Sequence, residues 1–289
     1  MAKYGFTMAG IMERVFPVGS SLRAMDELRS RKFSPVPTSC IIGPPCSMKT
    51  ALLMQAAVTE GAGGGQVLFV APKRLDSLPP SVHGMPRAST STMNNIKFLY
   101  ANHTSELQGY LASLHMIPAK DRPTLIIIDD LHYYTTPQDY GSVCTIDTAT
   151  QMANAARLLS LAQESAEYCN TSRTSGRDSS SQHSTSCQCS VLVSWTHQNS
   201  NTLKLNELEA SAKDFCHDVW IMQLNKEKHK GSAEYLLVEQ SGPSCTISFS
   251  ARNSPPSQHL LLHQVTLEVE KTEDLLENTQ TKDQKSHEK

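Results

Sequence analysis

The octapeptide Gly43-Pro44-Pro45-Cys46-Ser47-Met48-Lys49-Thr50 constrains this chain more than any other stretch. It joins a strand-like run, Thr38 to Ile42, to an apolar helical run, Thr50 to Thr59. It fits the phosphate-loop pattern G-x-x-x-x-G-K-[ST] at every fixed position but one, where Met48 replaces the second glycine. In such a loop, backbone N–H groups and a helix N-terminus surround the phosphates, a lysine reaches the terminal phosphates, and a hydroxyl holds magnesium. Lys49 and Thr50 are the candidates for the last two roles, with Gly43, Pro44, Pro45, Cys46, Ser47 and Met48 forming the cradle. Pro44 and Pro45 lack N–H groups, but they stand ahead of the main phosphate donors. Met48 is a defect. A glycine there tolerates conformations that a β-carbon disfavours, so methionine is expected to strain the loop or crowd the nucleotide.

A second signal is the apolar run Ile126-Ile127-Ile128 closed by Asp129 and Asp130. A phosphate-loop protein needs such an acid at a strand end to orient magnesium, and Asp129 is the better candidate. Asp130 is a substitute general base, although adjacency to Asp129 places it on the opposite side of a continuing strand. The plain alternatives are a strand, turn and helix with a chance Lys-Thr, and a pair of helix-capping acids.

Around these motifs the apolar runs alternate between strand and helix, which predicts an α/β fold with a mostly parallel sheet flanked by helices. Strand-like runs at Asp218 to Leu224, Glu234 to Gln240 and Cys245 to Ser250 add an antiparallel edge. Three parts follow. Residues 1–37 form an N-terminal extension, with Leu22, Met25 and Leu28 at helical spacing; residues 38–252 form the phosphate-loop domain; residues 253–289 form a mostly disordered tail. A Ser/Thr-rich stretch near 170–188 reads as a disordered insertion.

The formal net charge of -2 and pI near 6.6 exclude a globally basic protein, so nucleic-acid binding requires a local patch. Two are available: Lys73 with Arg74, and Lys226, Lys228, His229 and Lys230. Eight cysteines without regular spacing read as reduced thiols of an intracellular protein. His183, Cys187 and Cys189 do not complete a four-ligand set, so no structural zinc is expected. No apolar run is long enough to span a membrane. Asn225-Lys226-Glu227-Lys228 resembles a guanine reader but ends in a lysine, which cannot accept the guanine N–H bonds. A small-molecule kinase lid would have to use Arg173 and Arg177 from low-complexity surroundings.

With Ile41 through Leu53, Gln66-Val67-Leu68-Phe69-Val70, Lys97-Phe98 and Leu125 through Asp129, the chain resembles the RecA-type recombinase paralogues. Within them it is most similar to the family of SWIM-type zinc-finger-associated proteins, the ATPase-like subunits of the animal Shu complex. The resemblance implies a RecA-like core, ATP with Mg, and stimulation by single-stranded DNA. It implies as partners a SWIM-type zinc-finger protein and recombinase with its paralogues, and a nuclear role in homologous recombination DNA repair. It places Thr196 and Gln198 where the family senses the γ-phosphate. Phe98-Leu99-Tyr100-Ala101 matches the Phe-x-x-Ala docking pattern of recombinases, but also alternates as a buried strand. Where active recombinases carry a catalytic carboxylate, this chain reads Val70-Ala71-Pro72-Lys73-Arg74, so hydrolysis is expected to be slow. A DNA-stimulated ATPase with a degenerate phosphate loop, a scaffold adaptor with a defective nucleotide site and a small-molecule phosphate-loop kinase are the three functional readings.

Overall fold

The computed structural model describes residues 11–17, 37–136, 147–174, 188–197, 202–225, 233–240, 244–254 and 257–268. Among the described residues ten strands form one sheet: β1 Thr38–Gly43, β2 Val67–Ala71, β3 Ser81–Val82, β4 Ile96–Tyr100, β5 Leu125–Ile128, β6 Ser190–Thr196, β7 Asp218–Asn225, β8 Glu234–Glu239, β9 Ser244–Ser254 and β10 Ser257–Glu268. Their order is β3-β10-β9-β8-β7-β1-β6-β5-β2-β4. The half from β7 to β4 is parallel throughout, whereas β7, β8, β9 and β10 are successively antiparallel. This is the mostly parallel α/β sheet with an antiparallel edge that the sequence predicts.

The reason lies in which strands are buried throughout. β1, β2 and β5 are buried at every position, as strands covered on both faces must be. Side-chain alternation then sends Ile41, Phe69 and Ile127 into one core, and Cys40, Ile42, Ile126 and Ile128 into another on the opposite face. Helix α1 (Ile11–Val15) and helix α2 (Lys49–Ala62) cover the first face; α2 buries Ala51, Leu52, Leu53, Met54, Ala56 and Ala57 there. The short α3 (Thr90–Met93) leads into β4. Helices α4 (Thr104–Ala112), α5 (Leu131–Thr135), α6 (Thr148–Thr174) and α7 (Thr202–Phe215) cover the second.

Three boundaries differ from those the sequence suggests. The segment 11–17 is part of the domain: Met12, Val15 and Phe16 are buried, the Phe16 ring lies 5.3 Å from that of Phe249, and Arg14 donates to Ser190 at 2.8 Å. At the other end, β9 runs past residue 252 and β10 pairs with it from Ser257↔Ser254 to Glu268↔Ser244. The expected disordered tail therefore begins with a strand, because β9 offers β10 an edge and Leu260 a place in the core. Finally, α6 continues to Thr174, and the Asn170 side chain is tied to the backbone of Cys189, so residues 170–174 belong to the helix. Residues 175–187, the stretch carrying Leu22, Met25 and Leu28, and residues 269–289 lie outside the described residues.

Candidate functional site

Because the strands from β7 to β4 run parallel, the ends of β1, β2, β4, β5 and β6 open on one edge of the sheet, where α/β proteins place their ligands. The candidate residues come from β1, β5 and β6, which are neighbours in the order β1-β6-β5. Gly43 ends β1 at a tight place: a β-carbon there would meet the Met222 Cβ and the Ser47 Oγ at 3.0 Å, so either neighbour would have to give. Residues 44–48 turn into α2, whose first residue is Lys49.

Lys49 is buried, and its ammonium donates to the carbonyls of Gly43 (3.1 Å) and Pro44 (2.6 Å) and to the Ser47 Oγ (3.1 Å). Burial lowers its pKa, opposed by the charges of Asp130 and then Asp129. Ser47 in turn donates to the Pro44 carbonyl at 2.7 Å. The loop is thus closed by its own side chains. Met48 immediately precedes α2 with φ 64 and ψ 9, the left-handed region that favours glycine. Cys46, exposed, has φ 57. The methionine at the position of the missing glycine therefore adopts a glycine-like backbone, and its side chain packs against the core on the α2 face. Pro45 is exposed.

Thr50 brings the loop to the acids. Its hydroxyl donates to the Asp129 Oδ2 at 2.8 Å, across 79 positions of sequence. The other carboxylate oxygen, Oδ1, accepts from the Ser194 hydroxyl of β6 at 2.7 Å. Burial raises the Asp129 pKa, and the hydrogen bonds from Ser194 and Thr50 oppose the rise. Asp130 does not sit where a continuing strand would put it. β5 ends at Ile128, and Asp130 turns the chain with φ 56 into α5. Its charge is the largest one opposing the lowered pKa of Lys49, and its Oδ1 is buried without a hydrogen-bond partner among the described residues. The premise that places Asp130 on the far side of a strand thus fails.

Oxygen donors from a threonine and a carboxylate, with a further carboxylate alongside, suit a hard divalent cation. Among the described residues no group of three or more His, Cys, Asp or Glu forms a metal cluster; a phosphate-bound magnesium ion takes only one or two protein ligands. Thr196 pairs with Gly43 across β1 and β6, and the His197 N–H donates to the Gly43 carbonyl at 3.1 Å, so the end of β6 lies beside the start of the loop. Gln198, and the cluster Lys226, Lys228, His229 and Lys230, lie outside the described residues. Phe98 and Ala101 are taken up by the protein's own sheet: Phe98 lies 5.5 Å from Phe69, and Ala101 is fully buried. Sequence reasoning passes over Ser194. Its only signal is a hydroxyl inside the apolar run Val191-Leu192-Val193-Ser194-Trp195.

A mostly parallel sheet flanked by helices with an antiparallel edge defines an α/β domain, in which the turn after β1 and the acid after β5 meet through Thr50 of α2. In sequence the chain is similar to mouse (Mus musculus) ATPase SWSAP1, 34% identical over 129 residues that cover 44% of this chain and 43% of that protein. It is also 34% identical to human (Homo sapiens) ATPase SWSAP1 over 130 residues, covering 41% and 53% of the two chains. The match thus spans about half the length of these curated relatives. No family model matches the chain. A crystal structure of the RadB recombinase aligns over 82% of this chain and 96% of its own, with TM-score 0.46 and 14% identity.

Proposed function

We propose that this chain is an accessory factor in homologous recombination, a RecA-like protein that binds ATP with magnesium and hydrolyses it slowly. The observation that carries the reading is the 2.8 Å hydrogen bond from Thr50 to Asp129, which joins the two motifs of a nucleotide site. Similarity to proteins named ATPase SWSAP1 supports the same class. In this reading the backbone of residues 43–48 and the start of α2 hold the phosphates, Lys49 exchanges its loop carbonyls for phosphate oxygens, and Thr50 and Asp129 hold the cation. Magnesium would supply charge neutralisation at the phosphates. Asp130 is the candidate base, and Thr196 and Gln198 the candidate sensors. Single-stranded DNA, recombinase with its paralogues and a SWIM-type zinc-finger protein are the proposed partners, and the nucleus is the proposed compartment. Among the described residues no helix is long and apolar enough to cross a membrane. We propose the phosphate-loop domain as the folding unit, extended to include residues 11–17 and β10.

The second reading, a scaffold whose nucleotide site has decayed, is favoured by the left-handed backbone at Met48. Titration of fluorescent ATP with magnesium separates the two. Binding in the micromolar range that Lys49→Ala weakens at least tenfold is the expected result, since the lysine charge then faces phosphate. No binding to the wild-type protein at millimolar ATP would leave the scaffold reading.

A further inference from the structure

Ser194 of β6 is hydrogen-bonded both to the Asp129 carboxylate and to the Asp130 backbone. β6 lies between β1 and β5. Val193 pairs with Ile128, the last residue of β5, so Ser194 is level with Asp129, where β5 has ended and the chain turns. It is fully buried between Val193 and Trp195, and a hydroxyl at such a place destabilises unless it is hydrogen-bonded. It makes two such bonds. Its hydrogen goes to the Asp129 Oδ1 at 2.7 Å, and its oxygen accepts the Asp130 N–H at 2.8 Å. One hydroxyl therefore fixes the carboxylate of one acid and the backbone turn that carries the other.

The two restraints on Asp129 are not equivalent. Thr50 donates to Oδ2, and the same hydroxyl keeps lone pairs on which a cation would draw, so its position answers to the metal as well as to Asp129. Ser194 bonds the other oxygen, Oδ1, from β6 and not from the loop, so its bond does not depend on the loop. We infer that Ser194 is the positioning residue of the cation site: it holds the Asp129 carboxylate in place when Thr50 is drawn to the metal. Outer partners that orient a ligating carboxylate commonly change metal affinity tenfold to a hundredfold when removed. This inference rests on the reading of the site as one for ATP and a divalent cation.

Three variants test it, with labelled ATP binding measured in EDTA and across a magnesium titration, and melting followed in parallel. Ser194→Ala is expected to bind ATP in EDTA within about twofold of wild type, while the magnesium concentration for half-maximal effect rises about tenfold. Ser194→Cys fills nearly the same space with a weak donor and carries the same expectation if the alanine protein does not fold. Ser194→Thr keeps the hydroxyl and should restore the wild-type midpoint. A folded alanine or cysteine variant with an unchanged magnesium midpoint overturns the positioning role. A wild-type protein that binds ATP equally with and without magnesium also overturns it while leaving nucleotide binding intact; one that binds no ATP removes the underlying reading instead.

Discussion

Asp129 and the phosphate loop sit side by side and are built in opposite ways. Both Asp129 oxygens accept hydrogen bonds, one from Thr50 and one from Ser194, at the buried end of β5 beside β6, with a single positive-φ residue, Asp130, following. The loop holds two non-glycine residues, Cys46 and Met48, at positive φ. Each such residue costs on the order of 1–2 kcal/mol relative to ordinary backbone. The lysine meanwhile occupies its own loop carbonyls. The comparison teaches that Met48 has not displaced the glycine geometry. The loop retains the shape and bears the cost in strain, so the defect acts on affinity more than on architecture.

The largest effect is expected at the acid corner. If Asp129 is the well-formed half of the site, Asp129→Asn should abolish the magnesium-dependent part of ATP binding, a loss of about 100-fold or roughly 2.7 kcal/mol. Titration calorimetry with magnesium and with EDTA reads it directly. A variant that responds to magnesium like the wild type would show that the corner is structural and break the comparison.

A smaller change is expected at the loop. Met48→Gly removes the left-handed strain from the loop, and should tighten ATP binding about fivefold to tenfold. Stability should change little. The glycine gains conformational ease in the fold but loses the methionine's contact with the core, and it adds about 0.5–1 kcal/mol of chain entropy to be ordered. Calorimetry on both proteins decides the point; equal affinities would mean that the loop has already accommodated the methionine.

This contrast also explains what was legible beforehand. β5 was legible because Leu125-Ile126-Ile127-Ile128 is a wholly apolar run closed by acids, and burial on both faces dictates such a run. Lys49, Thr50 and Asp129 follow from motif spacing. Three features do not. Phe16 meets Phe249 across most of the chain, and a five-residue helix has no period to betray it. The Ser257–Glu268 strand depends on the edge that β9 offers rather than on its own pattern, which contains Leu260-Leu261-Leu262 instead of clean alternation. The turn at Asp130 is set by Ser194, a tertiary partner 64 positions away. Local propensity cannot report a bond of that length.

The smallest effect expected, no change at all, is the sharpest test of whether nucleotide and nucleic acid use separate surfaces. Lys49 is only 6% exposed and its ammonium is spent on the loop, so it has no direct reach to a DNA backbone. Lys73 and Arg74 are exposed just beyond β2, which is separated from β1 by β5 and β6. Three strand spacings of about 4.8 Å place them roughly 14 Å along the sheet from the phosphate loop. Cations at that distance engage phosphodiester charge on their own account, by displacing counterions. Lys49→Ala should therefore leave single-stranded DNA affinity within about twofold of wild type. Replacing both Lys73 and Arg74 by alanine should flatten the dependence of log affinity on log salt by about 1.4, which is two single-strand contacts at about 0.7 each. Fluorescence anisotropy of a labelled oligonucleotide across a salt series measures both. Loss of DNA binding in a folded Lys49→Ala protein would mean that nucleotide occupancy organises the DNA surface, and that the two halves of the site act as one.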